Sequence, residues 1–119
     1  MAGEAQADCL FCKIVAGEVP ATVVRESATT VAFRDINPQA PTHVLVVPRA
    51  HYPNAGALAA ADPRLTADVL RATAEVAAQE GIDGSGYRVV LNTGSGAGQT
   101  VFHVHAHVLG GRGFEWPPG

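Results

Sequence analysis

At 119 residues the chain suits one compact domain and leaves little room for a second. Apolar residues make up 47% and charged residues only 16%, enough for a core and against general disorder. The net charge of -3, with no basic block, excludes the electrostatic stripe that a wrapped nucleic-acid polymer needs, and no apolar run approaches the roughly 20 residues of a membrane span.

Residues 1–8 carry Glu4 and Asp8 but no Lys or Arg, unlike a secretory leader. They are expected to form a flexible tail on a cytoplasmic protein whose single domain runs from 9 to 119. Cys9 and Cys12 follow, a C-x-x-C spacing that in a reducing compartment marks a metal or redox site more often than a disulfide. Leu10 to Ala16 is a short helix stopped by Gly17 and Pro20. Val23–Val24 and Thr29 to Phe33 suggest strands, and Asp35-Ile36-Asn37-Pro38 is a turn signal. Val44 to Val47 reads as a strand buried on both faces and ended by Pro48. Asp62 is positioned to cap a long helix, with Pro63 at its first position and Gly81 beyond its end. Leu65, Val69, Ala72 and Val76 form that helix's apolar stripe. Tyr87 to Leu91 is a strand, Asn92 to Gln99 a loop, and Val101 to Leu109 the last strand. A Gly- and Pro-rich tail from Gly110 to Gly119 closes the chain. Strands joined by short turns around one long helix predict an α+β domain on an antiparallel sheet. The helix would cover one face and leave the other for a ligand.

His103-Val104-His105-Ala106-His107-Val108-Leu109 carries the strongest signal. Side chains alternate along a strand, so His103, His105 and His107 share one face. Phe102, Val104, Ala106 and Val108 would point to the core. Neighbours two apart lie roughly 6.6–6.8 Å from one another. Zn–N bonds are about 2.0–2.1 Å, so three histidines on one extended strand do not easily share an ion. Two adjacent ones could share an ion, and one reading of the middle histidine is a nucleophile or an acid–base group with its neighbours in other jobs. The preceding loop holds Gly94, Gly96 and Gly98, whose backbone can approach a ligand closely and cradle phosphate oxygens, with Gln99 and Thr100 adding side-chain donors. Cys9 and Cys12 lack a second C-x-x-C, so any further zinc ligands would be histidines. His51 and His103 are the candidates and His43 a weaker one, against the alternative of two reduced, buried cysteines.

The His-x-His-x-His-x-x segment resembles the motif of the histidine triad superfamily. Further matches are Asp8-Cys9-Leu10-Phe11-Cys12-Lys13-Ile14, Phe33-Arg34-Asp35-Ile36, Pro41 to Pro48 and Gly98-Gln99-Thr100-Val101. The ending from Leu109 to Trp116-Pro117-Pro118-Gly119 is similar to the Hint branch, the histidine triad nucleotide-binding proteins. The resemblance implies a homodimer whose two five-stranded sheets join edge to edge, each with one long and one short helix. It implies hydrolysis of purine nucleoside phosphoramidates to AMP or GMP and an amine. By the same resemblance His105 is the nucleophile, oriented by the carbonyl of His103, and His107 lies by the phosphate and leaving group. Asp35 matches the ribose acceptor. Asn92 and the backbone of Gly98, Gln99 and Thr100 match the phosphate contacts, and Phe33 and Ile36 fall where the base packs. A structural zinc on Cys9, Cys12, His51 and His103 is similar to bacterial members, whereas the reaction itself requires no divalent metal. Thr100 stands where serine is usual, and Phe102 where tyrosine is frequent. The competing readings are a dinucleoside polyphosphate hydrolase or phosphorylase and a non-enzymatic nucleotide sensor on the same fold.

Overall fold

The computed structural model describes residues 3–119. Its elements run α1 (Leu10–Val15), β1 (Val23–Glu26), β2 (Thr30–Arg34), β3 (Thr42–Pro48), α2 (Ala55–Ala61), α3 (Pro63–Gln79), β4 (Tyr87–Val90) and β5 (Ala106–Gly110). The strands form one five-stranded sheet in the order β1-β2-β3-β5-β4, antiparallel throughout. Among the described residues no helix is long and apolar enough to cross a membrane.

The long helix starts as its cap predicts: the Asp62 carboxylate accepts the Leu65 N–H at 3.0 Å, and Pro63 needs no donor there. Leu65, Val69, Ala72 and Val76 are all buried against Ala32, Val44, Val46, Val104, Ala106 and Val108 of the sheet. Each fully buried valine in that layer contributes about 1.5–3 kcal/mol relative to exposure. Arg34 clamps Glu80 at the end of α3 through both guanidinium nitrogens (2.7 and 3.2 Å). The structure adds a second short helix, α2, where the sequence suggested none. Asn54 caps it by accepting the Ala57 N–H at 2.9 Å, and Leu58 anchors it in the core. Its sequence signal is an Asn before an alanine-rich run, a weak one because Leu58 is the single large apolar residue on its inner face.

Two expectations about the last strand need correction. It begins at Ala106, not Val101. The partner, Pro48, has no N–H to give the ladder, and its carbonyl accepts the His103 Nε2–H at 2.8 Å instead. The Val104 N–H is drawn off to the Tyr52 carbonyl at 2.7 Å. Phe102 therefore leaves the core face and stands half exposed. The alternation nevertheless persists: Val104, Ala106 and Val108 join the helix-covered core, while Cys9, Phe11, Cys12, Phe33 and Leu45 gather in a second cluster with other sheet residues. The segment before Cys9, expected as a loose tail, folds back. Gly3 exchanges two backbone hydrogen bonds with His51 (3.0 and 3.1 Å), while Met1 and Ala2 lie outside the described residues.

Candidate active site and metal centre

Two clusters of titratable side chains meet along the segment from His103 to His107. At its buried end, Cys9, Cys12, His51 and His103 bring one ligand atom each to within 4.8 Å of one another. The His103 Nδ1 lies 3.5 Å from both sulfurs, and the His51 Nδ1 lies 3.4 Å from the Cys12 Sγ. Because His103 donates through Nε2 to Pro48, its neutral ring presents a lone pair at Nδ1, toward the sulfurs. Burial holds the His103 ring neutral, its pKa pushed down to about 4. The Gln6 N–H reaches the Cys12 Sγ at 3.5 Å, and the Cys12 N–H reaches the Cys9 Sγ at 3.3 Å, donors suited to thiolates. Two sulfurs and two imidazole nitrogens, that of His103 held in the ligating tautomer, fit a tetrahedral structural zinc. His43 takes no part in it.

At the other end, the His105 Nδ1–H donates to the carbonyl of His103 at 2.8 Å. That bond selects the neutral tautomer in which Nε2 carries the lone pair. Phe11 packs edge-on to that ring at 5.0 Å and to Phe33 at 5.4 Å, so α1 fixes the nucleophile candidate from below. The His107 ring lies 5.0 Å from His105. Behind it stands a residue that the sequence offers only as a weaker zinc ligand: His43 Nε2 is 2.9 Å from His107 Nδ1 and 3.4 Å from an Asp35 carboxylate oxygen. The Gln39 N–H donates to His43 Nδ1 at 3.0 Å. That bond forces the proton of neutral His43 onto Nε2, from which it donates to His107 Nδ1, and so places the His107 proton on Nε2. Burial, with His105 and His43 adding to it, holds the His107 pKa down at about 4, against the opposing pull of Asp35. Asp35, His43 and His107 also lie close enough to surround a metal, but Gln39 occupies the one nitrogen of His43 that would have to bear a proton if Nε2 bound an ion. The trio is wired for protons. Strand alternation held the clue, since His43, Leu45 and Val47 share a face and Leu45 pairs with His107.

The glycine loop turns over a short 3-10 segment, Ser95–Ala97, with Gly94 and Gly98 at positive φ (84° and 92°), where a side chain would be strained. Gly96 sits inside that turn without such a demand. Gln99 corrects the expectation of a free side-chain donor. It is buried, its amide donates to the carbonyls of Pro53 (2.7 Å) and Val101 (3.1 Å), and its oxygen accepts the Gly94 N–H (2.8 Å). It braces the loop from inside, while Gly98 and Thr100 stay exposed and Asn92 is half-buried. Phe33 is buried beside Phe11, Ile36 is fully exposed, and Asp35 fixes its turn by accepting the Asn37 N–H at 2.8 Å.

A helix-backed antiparallel sheet with three alternate histidines beside a glycine turn defines a class, and comparison with known proteins agrees. Residues 16–114 match the HIT domain, and the chain belongs to the HIT family. A HIT family hydrolase from Legionella pneumophila superposes with a TM-score of 0.90 at 50% identity, over 94% of this chain and all of that one. A 14 kDa zinc-binding protein of Zea mays is 48% identical over 92% of this chain and 87% of its own length. The histidine triad nucleotide-binding protein of Candida albicans superposes with a TM-score of 0.80 at 32% identity, over 94% of this chain and 85% of its own.

Proposed function

We propose that this protein hydrolyses purine nucleoside phosphoramidates through a nucleotidyl-His105 intermediate. The observation that carries the reading is the 2.8 Å bond from His105 Nδ1 to the His103 carbonyl, which selects the tautomer whose Nε2 bears the nucleophilic lone pair. In-line attack forms a P–Nε2 bond as the bond from phosphorus to the amine breaks. The electron pair goes to the amine nitrogen, which takes a solvent proton handed on by His107. Water then attacks phosphorus, the P–Nε2 bond returns its pair to His105, and the water's proton leaves to solvent. Asn92, the backbone of Gly98 to Thr100 and the Thr100 hydroxyl would hold the phosphate oxygens. Asp35 would accept from the ribose, with Phe33 and Ile36 flanking the base. Zinc on Cys9, Cys12, His51 and His103 would supply rigidity, not chemistry.

We further read the molecule as a cytoplasmic homodimer whose tail reaches the partner's site. Trp116 is 83% exposed in the single chain, and β4 is an edge strand. The deciding experiment compares turnover of an adenosine phosphoramidate with that of a diadenosine polyphosphate. Faster phosphoramidate turnover, with a trapped nucleotidyl-protein lost in His105→Asn, is expected. Preference for the dinucleotide would move the assignment to a polyphosphate hydrolase, and no turnover of either would leave a nucleotide sensor.

A further inference from the structure

The C-terminal tail is tied into the protein at one point of special interest. The Arg112 Nε–H donates to the carbonyl of Gln39 at 3.0 Å, and the same residue's N–H donates to His43 Nδ1 at 3.0 Å. His43 Nε2 then meets His107 at 2.9 Å. Four residues thus form one unbroken run of hydrogen bonds from the tail to the proton on His107. The guanidinium of Arg112 is itself fixed, by the Gly113 carbonyl at 3.0 Å and by the face of Phe114, whose centroid lies 4.2 Å away. Arg88 stacks on the same ring at 5.0 Å and donates to the Glu115 carbonyl at 2.9 Å.

Gln39 lies in an exposed stretch, Ile36 to Gln39, between two strands. A backbone N–H in such a stretch holds a buried ring only if the residue is itself held. The Asp35 turn fixes the segment at one end, through the Asn37 N–H, and the Gln39 side-chain amide donates back to the Asn37 carbonyl at 3.0 Å, while Arg112 alone ties the Gln39 backbone carbonyl to the tail. We infer that Arg112 is a positioning residue: it holds Gln39 so that its N–H dictates the tautomer of His43, and thereby which nitrogen of His107 carries the proton. The tail then acts on the reaction from within its own chain, separately from any contact that Trp116 makes. This rests on the hydrolase reading only in supposing that the His107 proton matters for turnover.

The test is the histidine tautomer itself, read by 15N NMR of the ring nitrogens in the zinc-loaded protein near neutral pH. The parent should show His43 as a single Nε2–H form. Arg112→Ala should give a mixture of His43 tautomers and lower kcat about tenfold (about 1.4 kcal/mol) with KM little changed. Arg112→Lys keeps the charge but not the planar Nε–H donor, and should resemble Arg112→Ala. Arg88→Ala, which loosens the tail without touching Gln39, should keep the parent tautomer. An unchanged His43 tautomer in Arg112→Ala would overturn the inference, as would full rescue by lysine or an equal disturbance in Arg88→Ala. Because the spectrum is read without substrate, it decides the positioning role even if the protein turns over no phosphoramidate.

Discussion

His103 and His107 lie four residues apart in one alternating segment, yet the fold treats them oppositely. His103 has no exposure and both ring nitrogens are engaged, one by the Pro48 carbonyl and one by sulfur. His107 is half-buried, held at Nδ1 by another imidazole and left with its proton on Nε2. Both are kept neutral, chiefly by burial. The difference teaches that a histidine's role is written in what its second nitrogen bonds to: a carbonyl behind His103 turns a lone pair toward the metal site, and a histidine behind His107 leaves its proton on Nε2, where the proposed reaction would use it.

The residue between them gives the largest expected effect. His105→Asn should lower turnover by several orders of magnitude while AMP binding persists, as losses of catalytic nucleophiles do. Comparable turnover in the variant would remove the covalent mechanism and the contrast built on it. Next comes the buried end. Protein purified without a histidine tag should hold about one zinc per chain, and Cys12→Ser should lose most of it. At roughly 3–6 °C per kcal/mol for a domain of this size, a loss of several kcal/mol lowers Tm by more than about 10 °C. An equally stable metal-free protein would make the cysteines plain core residues.

Asp35→Asn should weaken nucleotide binding by roughly 1.5–3 kcal/mol through loss of a charged hydrogen-bond acceptor, and the parent should bind deoxyribose analogues less well. A parent indifferent to the sugar would confine Asp35 to its place beside His43. The acid response sharpens the comparison further. His107 has a folded pKa of about 4 against 6.5 for the free side chain, so below pH 6.5 the unfolded state binds more protons. Its contribution to stability is complete above about pH 6.5 and is lost as pH falls toward 4. His107→Asn should flatten this part of the stability curve, which urea titrations at several pH values would reveal. The smallest structural effect belongs to removal of residues 114–119. The fold and the proposed dimer should persist, while the range of accepted leaving groups changes. Unchanged selectivity would exclude the tail's outer half from the site.

Much of this was legible in the chain because it was local. The cap at Asp62, the stripe on α3 and the valine–histidine alternation need only short-range rules, and the strand alternation survives even where the ladder does not. What stayed hidden depends on distant partners. The bond between His43 and His107 spans 64 positions and that between Gln99 and Pro53 spans 46, so neither role follows from spacing. The early start assigned to the last strand failed because Pro48 and Tyr52, far upstream, redirect the hydrogen bonds of residues 103 and 104.

The two margins of the sheet also differ. At β1 a bulge interrupts the ladder, the Val24 carbonyl accepts the Gln79 side-chain amide at 2.7 Å, and Arg25 is bound to Glu75 at 3.2 Å. At β4 the strand is regular and pairs with β5 alone. A sheet open on one side and obstructed on the other can recruit one more copy and then stop, since two like edges joined by a twofold axis consume each other. The proposed pairing at β4 would therefore be self-limiting, with the β1 edge that a growing fibre would need obstructed by the side chains of α3.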